Sequence, residues 1–248
     1  KGFGMVLKHC LGGYANTSIA GSERKALITP DANGLAGLSL TTQIGRPSID
    51  GTCRPFTYEG CKVASWELKN AVDDKVVLIV NLDAETVGTA TGLATPSYAS
   101  GAEIFAFSEC AATLNGASIA IREFSIKGEN GLATDRRRLG NTKGEPIAAA
   151  FAKISGTLDF EFEDLARYGQ MVAGTEVANL ILTFTTPTVI SGGGPALFKI
   201  TIPLLVFSGE SPNASGPEII REPMTFIAID DGTNPVITLE QRTTDTAA

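Results

Sequence analysis

The chain is poor in the residues that usually carry covalent chemistry. Among 248 residues there are one histidine, four cysteines, one tryptophan and four tyrosines. A single histidine, His9, leaves acid–base or nucleophilic catalysis of the histidine type without a base. Cys10, Cys53, Cys61 and Cys110 fall in the first half and form no C-x-x-C pair. Nothing beside His9 completes a tetrahedral zinc site, so buried free thiols are expected, with no metal and no cofactor. Missing too is any run of roughly 18 apolar residues, which removes a membrane-spanning helix. No basic segment followed by a long apolar run opens the chain, so no secretory signal is expected, and a reducing cytoplasm is the expected place of folding. Positive charge is in deficit: 20 Lys and Arg face 27 Asp and Glu, for a net charge of −7. Such a surface repels a phosphate backbone as a whole, which argues against a protein that clamps nucleic acid.

What remains is an ordinary globular composition, 43% apolar and 19% charged, long enough for one large β-domain or two smaller ones. Its most informative stretch is residues 154–174. Ile154, Gly156, Leu158, Phe160 and Phe162 alternate with Ser155, Thr157, Asp159, Glu161 and Glu163. On a strand this gives one apolar and one acidic face. Leu165, Tyr168, Met171 and Val172 then recur at helical spacing, with Asp164 as N-cap and Gly174 as C-cap of a helix of about three turns.

Elsewhere, Met5, Val6, Leu7 and Leu11 suit a short amphipathic helix ended by Gly12-Gly13. The polar composition of 15–37 suggests that residues 1–37 form an N-terminal arm lying on something else. Residues 38–248 would then form a single domain, with halves at 38–127 and 147–248. Strands are expected at 38–43, at 65–70 (S-W-E-L-K-N), buried at 75–82, at 104–107 and at 119–126, with Asn115-Gly116 as a turn. The second half repeats this order. D-F-E-F-E-D at 159–164 answers S-W-E-L-K-N, Leu180, Leu182 and Phe184 answer Leu78, Val80 and Leu82, and Ile220-Arg221-Glu222 answers Ile121-Arg122-Glu123. A diverged duplication explains this. Each half has too few strands to bury both faces, so a mainly β sandwich or rolled barrel of two related halves is expected, with one flanking helix. Polar loops are expected at 128–146, 191–195 and 208–217.

Several small motifs carry no chemistry here. Ser22-Glu23-Arg24-Lys25 has the S-x-x-K spacing without its partner motifs. Asp73-Asp74 and Asp230-Asp231 sit at apparent turns, where carboxylates bond locally. The glycines 192–194 lack the lysine and helix of a phosphate loop. Same-face carboxylates two apart on a strand, such as Asp159 and Glu161, are about 7 Å apart, within the range of an inverting glycosidase. The aromatic platforms of a sugar site are absent, and no enzyme is expected.

L-x-x-Q-x-G-R-P at 40–47, P-F-T-Y-x-G-C-K-V at 55–63 and S-W-E-L at 65–68 resemble the first half of a major tail tube protein of long-tailed, non-contractile bacteriophages, particularly those of actinobacterial hosts. G-T-L-D-F-E-F-E-D-L at 156–165, I-P-L-L-V-F-S-G at 202–209, G-P-E-I-I-R-E at 216–222 and F-x-A-I-D-D at 226–231 are similar to that family's closing pattern. The resemblance spans nearly the whole chain. It implies a virion protein, assembled in the bacterial cytoplasm into hexameric rings whose strands join in a closed barrel. Stacked rings would conduct DNA without binding it specifically, alongside a tape measure protein and a tail terminator. On this basis Asp159, Glu161, Glu163, Glu67 and Lys69 are expected to face a lumen, and Arg136, Arg137 and Arg138 to sit on an inter-subunit loop. The alternatives are a secreted carbohydrate-binding or adhesin sandwich, which would show exposed aromatics, and a β-rich glycoside hydrolase using the acidic strand.

Overall fold

A computed structural model describes residues 2–98, 104–140, 143–150, 152–212, 216–217 and 219–246. Helix α1 (Phe3–Leu11) ends where Gly12 takes φ 98°, a conformation that disfavours a side chain. The hairpin β1 (Gly12–Ala20) and β2 (Glu23–Pro30) follows, then β3 (Leu40–Pro47) and the long β4 (Cys53–Ala71). Next come β5 (Val77–Asp83), β6 (Thr86–Gly88), β7 (Cys110–Leu114), β8 (Ala117–Ser118) and β9 (Ile121–Glu129). After the small pair β10 (Leu132–Ala133) and β11 (Ile147–Ala148) come β12 (Lys153–Glu161) and α2 (Ala166–Ala173). The last four strands are β13 (Glu176–Val189), β14 (Pro195–Gly209), β15 (Arg221–Ala228) and β16 (Thr238–Thr243).

Fourteen strands form one antiparallel hydrogen-bonded network folded into two layers. The first layer runs β5-β4-β9-β12-β15 and the second β1-β2-β16-β14-β13-β7-β8. Strand β14 belongs to both, pairing β16 through Leu197–Thr201 and β15 through Leu205–Gly209. Between these pairings stands Pro203, which has no N–H to give, and opposite it Asn179 adopts φ 51° outside the ladder. The layers bury one core: Trp66, Leu68, Phe124, Ile126, Leu158, Phe160 and Phe226 from the first, Ile28, Leu180, Leu182, Phe184, Phe198 and Leu239 from the second. Phe124 and Phe184 meet across it with ring centroids 6.0 Å apart. Two glycines let aromatics cross the strands. A Cβ on Gly128 would lie 2.2 Å from the Trp66 ring, and one on Gly156 would lie 2.6 Å from that of Phe226.

Much of the segment expected as an arm packs into the sandwich of its own chain. Leu7, Cys10, Ala26 and Ile28 are almost fully buried, and β2 pairs β16 of the same chain through Ile28 and Leu239. The polar look of 12–20 belongs to an edge strand, which keeps only one neighbour and one covered face. Strand β5 is half-exposed rather than buried, because it too is an edge, with Ile79 and Leu82 about two-fifths exposed. Residues 104–107 form a single bridge, Lys75 to Ala106, before a 3-10 turn, not a strand. Asn115 and Gly116 make the expected turn, both at positive φ. Helix α2 has eight residues, about two turns, and begins after Leu165; Asp164 accepts from the Ala166 N–H at 2.7 Å, and Gly174 closes the helix at φ 61°.

Candidate functional site

The side of the first layer that turns away from the core is the broadest organised polar surface. Along β4, Ser65, Glu67 and Lys69 point there, while Trp66 and Leu68 point inward. On β9 the outward set is Glu123, Ser125, Lys127 and Glu129, and on β12 it is Lys153, Ser155, Thr157, Asp159 and Glu161. Cross-strand register aligns them in rows. Lys69, Ser125, Thr157, Thr225 and Ser208 make one, and Glu67, Lys127 and Ser155 make the next, which ends on Ile227.

The expected acidic face is therefore a mixed one. Glu67 accepts a hydrogen bond from Ser125 Oγ at 2.6 Å and lies 3.7 Å from Lys127 Nζ. Asp159 is 5% exposed, with Arg221 at 3.2 Å, and Glu161 meets Arg122 at 3.5 Å. These cations come from β9 and β15; a strand at 119–126 and the matching Ile220-Arg221-Glu222 were legible, but their place beside β12 was not. Glu67, Lys69, Asp159 and Glu161 share the surface. Glu163 does not: β12 ends at Glu161, and Glu163 turns to Arg167 of α2 at 3.2 Å. Asp159, Glu161 and Glu163 thus each face a different arginine. Leu158 and Phe160, on the reverse side, are fully buried.

Arg136, Arg137 and Arg138 lie on the connection between β10 and β11. Arg136 donates to the Glu145 carbonyl, Arg137 bridges to Lys143, and Arg138 and its neighbour Leu139 are exposed. The small motifs are structural. Ser22 Oγ donates to the Ser191 carbonyl at 3.0 Å, Lys25 pairs with Glu240 at 3.3 Å, and the Gly194 N–H donates to buried Glu23 at 2.8 Å. Asp231 serves its own turn, and these hydrogen bonds from Asn234 and Thr233 hold its carboxyl below the usual range. All four cysteines are free; Cys10 and Cys61 are buried, and Cys53 is exposed. Burial pushes the Cys10 thiol up to about 12 and Cys110 to about 11, which makes both inert. Among the described residues no group of His, Cys, Asp and Glu is placed to hold a metal ion, and no helix is long and apolar enough to cross a membrane.

The outward face of the first layer is thus a broad polar surface of mixed charge, and one comparison says what kind of protein carries it. The family model described as phage tail tube protein matches residues 9–228. The chain belongs to the phage tail tube protein family. A search of curated proteins finds no match. The matched region includes strands of both sheet layers as far as the end of β15, leaving out β16, so the family assignment rests on most of the sandwich and not on one motif. As a tail tube protein it is a structural component of a virion tail that assembles with other phage proteins. The exposed hairpin β3–β4, the mixed-charge face and the edge strands are then features of a subunit.

Proposed function

We propose that this tail tube protein forms hexameric rings that stack into the tube of a long-tailed, non-contractile phage, of the actinobacterial-host kind, and that the outward face of β4, β9, β12 and β15 lines its channel. The observation that carries this reading is the face itself: four adjacent strands with a sealed apolar side and a mainly polar side, of Ser, Thr, Lys and Glu on β4, β9 and β12 and of Arg221, Pro223, Thr225 and Ile227 on β15. Such a lining suits a conduit. Three of its carboxylates, Glu67, Asp159 and Glu161, are paired with cations of neighbouring strands and Lys69 and Lys153 are interspersed with Glu123 and Glu129, so a passing phosphate backbone meets neither a basic stripe nor a wall of one sign. Edge strands that are a hazard in a monomer become joints when a ring closes on itself.

A second support is where exposed apolar side chains gather. Ile44 on β3, Ile49 at the turn, Val87 on β6 and Leu93 beyond it are all at least two-fifths exposed, on a hairpin that leaves the core. Copies of the same chain would cover that surface. Assembly takes place in the host cytoplasm around a tape measure protein and ends at a tail terminator. The exposed Arg137 and Arg138 would face carboxylates of a neighbouring subunit. Electron microscopy of the purified, concentrated protein tests the reading. Hollow tubes of uniform width with six-fold end views are expected; monomers at every concentration, or open sheets, would overturn it.

A further inference from the structure

Strand β4 is two structures in one. From Ser65 to Ala71 it lies in the sandwich between β5 and β9, and from Cys53 to Cys61 it forms the outer hairpin with β3. The change falls at a β-bulge, where the register with β5 shifts between Val63 and Ser65. A bulge bends its strand and frees backbone groups from the ladder. Here the freed groups are taken by one residue. Asn130 gives its N–H to the Ala64 carbonyl at 2.9 Å and its side-chain amide to the Val63 carbonyl at 2.8 Å and the Cys10 carbonyl at 3.0 Å.

The connection that begins at Asn130 returns to the same hairpin base with two more ties. Lys143 Nζ donates to both carboxylate oxygens of Asp83 and to the Ala84 carbonyl, each at 2.7 Å. Glu145 meets Lys62 at 2.7 Å, and the Lys62 side chain is 3% exposed although it stands where the hairpin leaves the core. Arg136 and Gly144 close the turn on itself. Between this turn and the hairpin lies an open cleft of about 710 Å³, lined by Tyr58, Glu85, Val87, Arg137 and Lys143. The connection and the hairpin therefore touch through charged ends and not through a packed apolar seam.

We propose that Asn130, Lys143 and Glu145 form a latch that fixes the angle at which the β3–β4 hairpin stands off the sandwich, with the bulge at Ala64 as its hinge. Asn130 holds the pivot, and the Lys143–Asp83 and Glu145–Lys62 pairs hold the arm. Strand β6 pairs the outer part of β4 through Thr57–Glu59 but follows directly on β5, whereas these ion pairs tie the hairpin base to a separate connection and are made before any second copy is present. Only the consequence for polymerisation rests on the tube reading; the hinge and latch belong to the single chain.

Hydrogen exchange on the full-length monomer, followed by mass spectrometry, separates the two. Lys143→Met is expected to speed exchange in the hairpin peptides by about tenfold while β13 and β14 are unchanged, since only a local opening is released. Added salt should move the wild-type hairpin the same way and the variant much less. The charge swap Asp83→Lys with Lys143→Asp should restore slow exchange. Unaltered hairpin exchange in Lys143→Met, equal loosening of the sandwich, or a swap that restores nothing would each overturn the latch. Tube formation by the same variants is then read separately: a loosened hairpin with tubes still forming normally would refute the link to assembly and leave the latch standing.

Discussion

At the scale of single residues, Glu222 is a carboxylate whose burial opposes its charge. It faces the core from β15, is 1% exposed, and neither carboxylate oxygen has a hydrogen-bond partner among the described residues. Arg167 of α2 lies 3.8 Å away, stacked over the Phe160 ring at 4.5 Å and already paired with Glu163. Burial raises the Glu222 pKa above the ordinary carboxylate value, Arg167 pulls it back, and Asp164 adds to the rise. A carboxyl whose folded pKa is raised stabilises the fold in its protonated form, below the unfolded pKa, and that contribution is lost as pH climbs through the folded value. Glu222→Gln is accordingly expected to raise Tm at pH 7, with the gain shrinking to nothing toward pH 4. Thermal unfolding of both proteins across that range checks this; a lower Tm at pH 7 would mean that the Arg167 attraction outweighs desolvation. Nothing in the alternation of R-E-P-M-T-F-I shows that α2 will fold over position 222.

At the scale of elements, the N-terminal segment is the informative case. Its polarity reads as an arm, because a two-stranded hairpin with one wet face has few apolar residues to display. In the structure most of them are used: Leu7, Cys10, Ala26 and Ile28 enter the core while Met5 and Ile19 stay exposed, and the Ser22 and Glu23 turn is tied to the loop at 191–194. Burying a large aliphatic side chain is worth roughly 1.5–3 kcal/mol, and a whole domain is stable by only about 5–15 kcal/mol. Deleting residues 1–30 should therefore leave a chain without a cooperative urea transition, and the β2 amides of the intact monomer should exchange slowly. A truncated chain that unfolds with a normal transition would show that the hairpin is dispensable. Helix α2, by contrast, was legible from the spacing of Leu165, Tyr168 and Val172, yet Leu165 and Val172 are each about two-thirds exposed. The expected apolar set was right in part: Met171 meets the sandwich together with Arg167, while Leu165 and Val172 do not.

At the scale of the whole molecule, the open question is which way the polar face looks in the assembled tail. Glu161 discriminates, since its side chain is two-fifths exposed and its pair with Arg122 is equally open, so it contributes at most about 1 kcal/mol. If the face lines the channel, Glu161→Lys should form tubes of normal width, and phage carrying it should release DNA slowly, because a ring of six new cations holds phosphate. Glu161→Gln should have a much smaller effect. Normal ejection by the Glu161→Lys phage, measured as DNA release on host exposure, would remove the face from the channel.

The sequence by itself determined the strands with one dry side, β4, β9 and β12, because alternation of side chains is a property of the extended chain and requires no neighbour. It also determined the turns at Asn115-Gly116 and the stop at Gly12, where the backbone enters positive φ. Which carboxylates stay free was decided only by the tertiary structure. Asp159, Glu161 and Glu163 look equivalent along the chain, but strand pairing sets β15 and β9 arginines against the first two, and the end of β12 hands the third to a helix. The same holds for the lysines of the latch: Lys62 and Lys143 are separated by eighty residues, and their charges are matched only because a bulge and a returning loop bring Asp83 and Glu145 to them.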